Sequence, residues 1–322
     1  MNEQIEEERG QAATRWSGIA ERGSMGALRF IRWVYTTFGR RATIAFLAPV
    51  VAYFFVTGRA VRRASLDYLR TLRGAPGGSA ALPTPPTLGS AYHHLHEFAE
   101  QVLDRMIVWS GDTDLIEVDY AGTELLLELS RERRGAILLG SHHGSSDLLR
   151  SVAERTGVTI NVLIFAANAA RINEFFEKLH PDLRMRMIPF ELGSIRWVFD
   201  VKASIERGEL VALMGDRVWE SERDREVAVT FLGRRARFPL GPFLLQTVIG
   251  CPMILTGCVR TGPARYRASA VPFAPGGVVP RSDRRKNAEE LAQRYAHALE
   301  ASCLRAPYQW FNFFDFWPED ES

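Results

Sequence analysis

Cysteine is scarce in this chain of 322 residues, and the few cysteines do not form a site. Only Cys251, Cys258 and Cys303 are present, without the paired spacing of a zinc site or a redox motif. Three cysteines with this spacing exclude a fold held together by disulfides, and they do not form a metal site. We therefore expect reduced thiols in a protein that faces the cytosol. A cleavable signal peptide is not expected either, because the first residues are acidic and no short apolar region with a cleavage site follows them.

The N-terminal region also lacks an apolar run long enough to cross a membrane without help. Its charge-free stretch, residues 42–57, has sixteen residues, and Pro49 would kink it. As a helix it would reach about 24 Å, against roughly 30 Å for a hydrocarbon core. It could span with help from its flanks, or insert as a hairpin with the aromatic and basic residues 27–38. The third interpretation is a buried helix of a soluble protein, but arginines on both borders favour contact with a membrane.

Lysine is absent from residues 22–73, where ten arginines accompany a single acid, Asp67. This segment carries +9 in a chain of net charge +2, which leaves −7 for the remainder. Within it, residues 59–73 predict an amphipathic helix whose apolar face contains Val61, Ala64, Tyr68 and Leu72. The arginines of the opposite face are Arg59, Arg62, Arg63, Arg70 and Arg73. They predict an anionic membrane surface as partner and no nucleic acid, and the alternative is an ordinary solvated helix.

Three regions follow from these patterns. Residues 1–73 predict a helical region that associates with a membrane, residues 74–90 a linker rich in glycine and proline, and residues 91–322 an α/β domain. In the third region short apolar runs alternate with helical patterns, which predicts a mostly parallel central sheet flanked by helices. The predicted strands are 115–118, 136–139, 159–165, 185–189, 210–214, 251–256 and 266–271, and the predicted helices are 123–131, 146–155, 169–179, 195–207, 243–249 and 287–306.

The first candidate site follows the apolar strand at residues 136–139. Small residues end that strand, His142 and His143 come next, and Asp147 lies at the start of the following helix. An imidazole can take a proton from an alcohol while a carboxylate fixes its tautomer and stabilises the imidazolium. Because no G-x-S-x-G elbow accompanies the pair, the nucleophile would be a substrate hydroxyl attacking an activated acyl group. The alternative is that His142 and Asp147 form an ordinary hydrogen-bonded pair.

A second polar turn follows the apolar strand at residues 210–214. As in the first site, a small residue and then polar side chains come directly after the strand, here Gly215, Asp216 and Arg217. If the two strands run parallel, both turns open on the same edge of the sheet. Arg217, held by Asp216, could bind a phosphate or stabilise a developing oxyanion. The alternative is that each is a structural ion-pair residue. A metal site at His93, His94 and His96 is not expected, because that spacing does not converge three imidazoles and no acid or thiol cluster accompanies them.

From about Leu115 to Trp317 the chain resembles the lysophospholipid acyltransferase superfamily, and within it the branch that contains the late lipid A acyltransferases. The family's His-x4-Asp/Glu box matches His142 and Asp147, and its strand with a polar turn matches LMGDR at 213–217. The boxes FLG, PLGP and CPMIL follow in the family's order, and PYQWF at 307–311 matches its closing pattern. Asp where many members have Glu, the doubled histidine and the arginine-rich N-terminal region indicate a divergent subgroup.

This resemblance implies a glycerolipid acyltransferase-like fold and transfer of a fatty acyl group to a hydroxyl of a lipid or glycolipid. The donor would be a thioester of acyl carrier protein or coenzyme A, with no metal or redox cofactor. The resemblance implies His142 as general base, Asp147 as its orienter and Arg217 as the oxyanion or phosphate contact. It places the substrate around His143, Ser145, Asp216, Phe231, Gly233 and Gly241. The expected location is the cytoplasmic face of the inner membrane.

Two other classes stay open at this point. A hydrolase could use the same His/Asp pair to activate water, in which case it would consume thioester without an acceptor. A membrane scaffold without catalysis would bind anionic vesicles and transfer no acyl group.

Overall fold

The computed structural model describes residues 25–120, 122–145, 148, 157–165, 185–190, 194–218 and 225–317. The helices are α1 (Met25–Thr57), α2 (Arg59–Gly74), α3 (Gly78–Ala81), α4 (Leu88–Trp109), α5 (Glu124–Arg131), α6 (Arg196–Glu206), α7 (Gly241–Ile249) and α8 (Arg284–Arg305). The strands are β1 (Glu117–Asp119), β2 (Ala136–Gly140), β3 (Ile160–Phe165), β4 (Met185–Phe190), β5 (Leu210–Met214), β6 (Glu226–Phe231), β7 (Arg234–Pro239), β8 (Met253–Gly262) and β9 (Arg265–Ala274). The helices predicted at 146–155 and 169–179 lie outside the described residues.

Seven strands form one sheet in the order β1-β9-β8-β2-β5-β3-β4. The five strands from β8 to β4 run parallel, while β9 is antiparallel to β8 and β1 runs with β9. All five residues of β2 are buried, as expected for a central strand covered on both faces. The prediction of an α/β fold with a mostly parallel sheet is therefore confirmed. The first strand begins at Glu117 rather than Leu115, because residues 113–115 form a 3₁₀ turn.

The two strands β6 and β7 form a separate antiparallel hairpin that the sequence reading did not identify. Phe231 pairs with Arg234, so Leu232 and Gly233 alone make the turn, and both have positive φ, 53° and 77°. Two successive residues of this kind give the turn whose twist suits a two-residue hairpin. Gly233 therefore occupies a position that the turn itself requires.

Helix α1 is sharply bent at Gly39, whose φ of 80° and ψ of 170° are not helical. Rings sixteen residues apart would be about 24 Å apart along a straight helix, yet the Phe30 and Phe46 ring centroids are 5.8 Å apart. The two halves of α1 thus fold back on each other. Residues 30–57 pass as one membrane-crossing candidate by length and composition, but their geometry is that of a short hairpin. Its exposed apolar side chains are Phe30, Trp33, Phe38, Phe46, Val50, Tyr53 and Val56.

A partly buried network of ion pairs attaches this bent helix to the α/β domain. Arg40 lies 2.8 Å from Glu100 and 3.0 Å from Asp104, both on α4. Glu100 also pairs with Arg260 of β8 at 2.8 Å, and Arg260 bonds Glu97 one helical turn away. Burial opposes the charge of Arg40, but Asp104 and Glu100 raise the pKa of its guanidinium above the ordinary value. Each buried charge is therefore compensated by a partner.

Helix α2 buries the predicted face, with Val61, Ala64, Tyr68 and Leu72 inside. Some of the residues directly after α2 return to the core. Ala75 and Leu82 belong to the main core cluster. A Cβ at Gly78 would stand 1.8 Å from the carbonyl oxygen of Leu72, so only glycine fits this close return of the chain.

Candidate active site

The two polar turns meet at one edge of the sheet, as the sequence predicts. In the parallel register of β2 and β5, Gly140 lies opposite Met214, and the N–H of Gly215 donates to the Gly140 carbonyl at 3.1 Å. The residues that follow the two strands therefore lie next to each other. A Cβ at Gly215 would come within 2.8 Å of Leu139 and 3.0 Å of the Tyr295 ring, so this glycine allows the turn to approach β2 closely.

This edge brings His142 and Asp216 into direct contact. The Nδ1 of His142 lies 2.8 Å from Asp216 Oδ1, and its backbone N–H donates to Oδ2 at 2.9 Å. An ionised carboxylate can only accept, so Nδ1 carries the proton. That tautomer leaves Nε2 with its lone pair, on a side chain that is 33% exposed. A neutral imidazole in this form can take a proton from a bound hydroxyl.

A third donor completes the shell around Asp216. The indole Nε1–H of Trp310 donates to Oδ2 at 2.9 Å, and both residues are fully buried. Burial alone would raise the pKa of Asp216, but His142, the Arg217 charge and the Trp310 donor outweigh it and hold that pKa well below its usual range. Asp216 is therefore a carboxylate at every pH at which the protein would work.

The sequence predicts that Asp147 orients His142 and that Asp216 holds Arg217. Both carboxylate oxygens of Asp216 accept hydrogen bonds, which come from His142 and Trp310. Asp147 lies outside the described residues, so its role stays a prediction. The contact could not be read from local spacing, because His142 and Asp216 are separated by 74 residues and meet only through the β2–β5 pairing.

Arg217 points along the C-terminal segment rather than at Asp216. Its Nη2 donates to the carbonyl of Phe311, and its guanidinium lies 5.5 Å from the ring centroid of Phe314. Its buried Nε has no hydrogen-bond partner among the described residues. Burial lowers the pKa of Arg217, partly offset by the Asp216 carboxylate. Of the five N–H donors of Arg217, one bonds Phe311 among the described residues, and an oxyanion or phosphate could use the remaining Nη donors.

His143 and Ser145 face inward and fix the turn. The Nε2 of His143 lies 3.1 Å from the Ala306 carbonyl, and burial lowers the pKa of this histidine to about 4. The N–H of Ser145 donates to the Cys258 carbonyl at 2.7 Å. Between them, Gly144 has φ +74°, and a Cβ there would meet the Cys258 oxygen at 2.2 Å. Both side chains are buried.

The C-terminal segment, residues 306–313, crosses the site as a strap. The carbonyl of Gln309 accepts from Gly144 at 2.8 Å, and Phe311 N–H donates to the His142 carbonyl at 3.0 Å. The side chain of Gln309 bonds both N–H and C=O of Arg260, at 2.8 Å each. The sequence reading used this segment only as a family pattern and missed that Trp310 contacts the site. Its one signal was a Gln-Trp pair inside an aromatic run near the C-terminus.

The remaining predicted substrate residues are Phe231, Gly233 and Gly241. Phe231 is fully buried and packs on Trp310, with ring centroids 5.2 Å apart. Gly233 forms the β6–β7 turn, and Gly241 begins α7 next to Pro242. Of these three residues, Phe231 is connected to the site by its contact with Trp310.

The three clustered histidines have separate structural partners. His94 is buried between Ser65 and Trp310, His93 packs on Tyr308, and His96 lies 3.2 Å from Glu100. Within the described ranges no group of three or more His, Cys, Asp or Glu side chains could hold a metal ion.

Residues 99–318 match a family model described as bacterial lipid A biosynthesis acyltransferase. The matched range covers more than half of the chain and includes His142, Asp216, Arg217 and the strap. The search of curated proteins returned no match.

Proposed function

The chain belongs to the bacterial lipid A biosynthesis acyltransferase family and is thus an acyltransferase of lipid biosynthesis, and on this premise we propose how it acts. It moves a fatty acyl group from a thioester of acyl carrier protein or coenzyme A to a hydroxyl of a glycolipid. The observation that carries the mechanism is the His142–Asp216 pair, with Nδ1 and Oδ1 2.8 Å apart.

In the proposed reaction, Nε2 of His142 takes the proton of the acceptor hydroxyl as its oxygen attacks the thioester carbonyl. The carbon–oxygen bond forms and the carbonyl oxygen becomes an oxyanion, which Arg217 stabilises. The intermediate then collapses, the carbon–sulfur bond breaks, and His142 returns the proton to the leaving thiolate. Asp216 stays ionised and stabilises the imidazolium between the two proton transfers.

The first test is the pair of conservative substitutions Asp216→Asn and Asp147→Asn, assayed with a labelled acyl thioester and a lipid acceptor. Removing the general base in His142→Ala should lower turnover by about 10²–10⁴. Asp216→Asn should be impaired by up to about 10⁴, since an amide cannot favour the Nδ1–H tautomer. Asp147→Asn should lose less. If Asp147→Asn is the more damaged of the two, Asp147 orients the base and the assignment of Asp216 fails.

The same assay separates the transferase from a hydrolase. A transferase releases free thiol in step with acylated lipid and is slow without acceptor, whereas a hydrolase releases thiol and free fatty acid at the same rate with or without acceptor. Acceptor-independent release would overturn the proposal.

We further propose that α1 inserts into one leaflet as a hairpin and does not cross the bilayer. The bend at Gly39 leaves the two halves side by side, and Arg40 is tied to α4 by ion pairs. The second half of α1 contacts the strap, because Val51 belongs to a hydrophobic cluster against which Phe313 packs. Exposed Phe314, under Arg217, lies next to that strap residue. Lipid acceptors would then reach the dyad from the leaflet that holds the hairpin.

Topology and lipid charge test this arrangement. An epitope placed before residue 25 should be protease-accessible on the same, cytoplasmic, face as the α/β domain, and accessibility on opposite faces would mean that α1 spans. Arg62 and Arg73 of α2 already bond backbone carbonyls, so the exposed Arg59 and Arg70 should contribute most to anionic binding. The double change Arg59→Gln/Arg70→Gln should weaken flotation with anionic vesicles, and the exposed pair Arg281→Gln/Arg285→Gln is the charge-matched control.

A further inference from the structure

A continuous line of buried hydrogen bonds runs from α2 to the dyad. Ser65 Oγ lies 2.9 Å from His94 Nδ1, and His94 Nε2 lies 3.0 Å from the Trp310 carbonyl. The indole Nε1–H of Trp310 then donates to Asp216 Oδ2 at 2.9 Å, and Asp216 Oδ1 bonds His142. The first four residues of this line are between 0% and 1% exposed. The line connects the basic amphipathic helix to the base through side chains that water does not reach.

The direction of each bond in this line is fixed by chemistry. Burial lowers the pKa of His94 to about 3, so His94 is neutral when the protein works. A carbonyl can only accept, so His94 Nε2–H donates to Trp310, and His94 Nδ1 accepts from the Ser65 hydroxyl. The indole N–H of Trp310 is a donor only. It therefore always favours the ionised form of Asp216, and no alternative bonding pattern relaxes that preference.

Packing holds the ring of Trp310 in addition to the hydrogen bond from its N–H to Asp216. Its centroid lies 4.8 Å from Phe316, 5.0 Å from Tyr68 and 5.2 Å from Phe231. Replacement of Trp310 by phenylalanine removes the N–H while an aromatic ring still fills the site. The donor's contribution can thus be separated from the packing contribution.

We propose that Trp310 is a positioning residue that sets the proton affinity of the Asp216–His142 pair, and that His94, oriented by Ser65, holds Trp310 in place to do so. The proposal rests on the proposed function of His142 as the base. With the indole donor in place, the negative charge of Asp216 is partly satisfied and attracts the His142 proton less. Without it, the carboxylate binds the imidazolium more tightly, so the base is occupied by a proton up to a higher pH.

The other groups around Asp216 do not titrate in the range that matters. Arg217 stays charged throughout, and burial lowers the pKa of His143 to about 4. Tyr295 and Cys303 also face Asp216, and burial raises the pKa of the phenol and of the thiol above their ordinary values, so both are neutral near pH 7. A change in the pH profile of a Trp310 variant is therefore attributable to the dyad.

The test is the pH dependence of kcat/KM for Trp310→Phe against Trp317→Phe in the full-length protein. Trp317 is a second buried tryptophan, whose ring packs on Phe231 and whose Nε1 has no partner among the described residues. Trp310→Phe should move the acidic limb of the profile upward by about half a pH unit to one unit, and Trp317→Phe should leave it in place. An unmoved limb in Trp310→Phe, or an equal movement in both variants, would overturn the proposal.

A second variant tests the role of His94. His94→Leu should move the acidic limb in the same direction as Trp310→Phe, and the double variant should move it no further, because both act through one bond. Additive movement would show that His94 does not act through Trp310. Near-UV circular dichroism shows whether Trp310→Phe folds. If it does not, the test uses His94→Leu alone, and the acidic limb of its kcat/KM profile is measured in the same way.

A readout that needs no turnover distinguishes this proposal from the proposed function. The ¹⁵N signals of the His142 ring, assigned by their loss in His142→Ala, report protonation directly. Trp310→Phe should move their titration to higher pH whatever the reaction is. If that movement is seen while no thioester is consumed, the proposed function fails and the role of Trp310 stands. If thioester is consumed and the signals do not move, the role of Trp310 fails alone.

Discussion

Two buried neutral histidines should make this protein lose stability on mild acidification. Burial lowers the pKa of His94 to about 3 and that of His143 to about 4, and both side chains are buried in the fold. In the unfolded chain a histidine has a pKa of about 6.5. Between these values the unfolded chain binds more protons than the folded one, so stability falls as pH falls below about 6.5 and stops falling below the folded pKa.

The loss of folding stability at a given pH follows from how far that pH lies below the pKa of histidine in the unfolded chain. At pH 5 each histidine is about 1.5 units below its unfolded pKa while still neutral in the fold, which costs about 2 kcal/mol each, or about 4 kcal/mol together. This is a large share of the 5–15 kcal/mol that is typical for a domain. The carboxylate of Asp216 does not contribute in this window, because its pKa is held well below its usual range and its protonation requires stronger acid.

The measurement is denaturant unfolding in a fixed detergent at pH 7 and pH 5, for wild type and for His94→Gln. Glutamine can still donate to the Trp310 carbonyl but does not titrate. The free energy of unfolding should fall by about 2 kcal/mol less in His94→Gln than in wild type between the two pH values. His297→Gln, an exposed histidine on α8, is the matched control and should follow wild type. If His94→Gln and wild type fall by the same amount, His94 is not held neutral and the reasoning is refuted.

Further predictions concern the turn and the guanidinium of the site. Gly144→Ala and Gly233→Ala place a side chain at nearly the same φ, +74° and +77°, but the added Cβ meets the Cys258 oxygen at 2.2 Å in the first case and nothing within 4 Å in the second. Gly233→Ala should therefore cost about 1–2 kcal/mol in thermal unfolding, and Gly144→Ala clearly more with loss of activity; equal costs would contradict the packing at Gly144. Arg217→Ala should lower kcat and kcat/KM together by about 10²–10³ if the guanidinium stabilises the oxyanion. A rise in KM alone would indicate a phosphate contact, and values within about twofold of wild type would make Arg217 a purely structural residue.

Local sequence patterns determined the fold class and the edge of the sheet at which the site lies. Short continuous apolar runs bounded by turn residues, such as 210–214, indicate strands in the interior of a sheet, and the helices between them indicate a parallel arrangement. The buried face of α2 followed from its three- and four-residue spacing. Small and polar residues directly after β2 and β5 marked the two turns. Each of these conclusions depends on residues within a few positions of one another, which is where sequence patterns carry physical information.

Only the tertiary structure decided which partner each polar group finds. His142 bonds Asp216 because the β2–β5 register brings together turns that are 74 residues apart. Trp310 reaches Asp216 across a separation of 94 residues, through a strap whose course no local pattern encodes. In the bent helix α1, Arg40 likewise pairs with Glu100 and Asp104 on α4, which are distant in sequence. Hydrogen bonds and ion pairs are specific to geometry, and the geometry of distant groups exists only once the sheet has assembled.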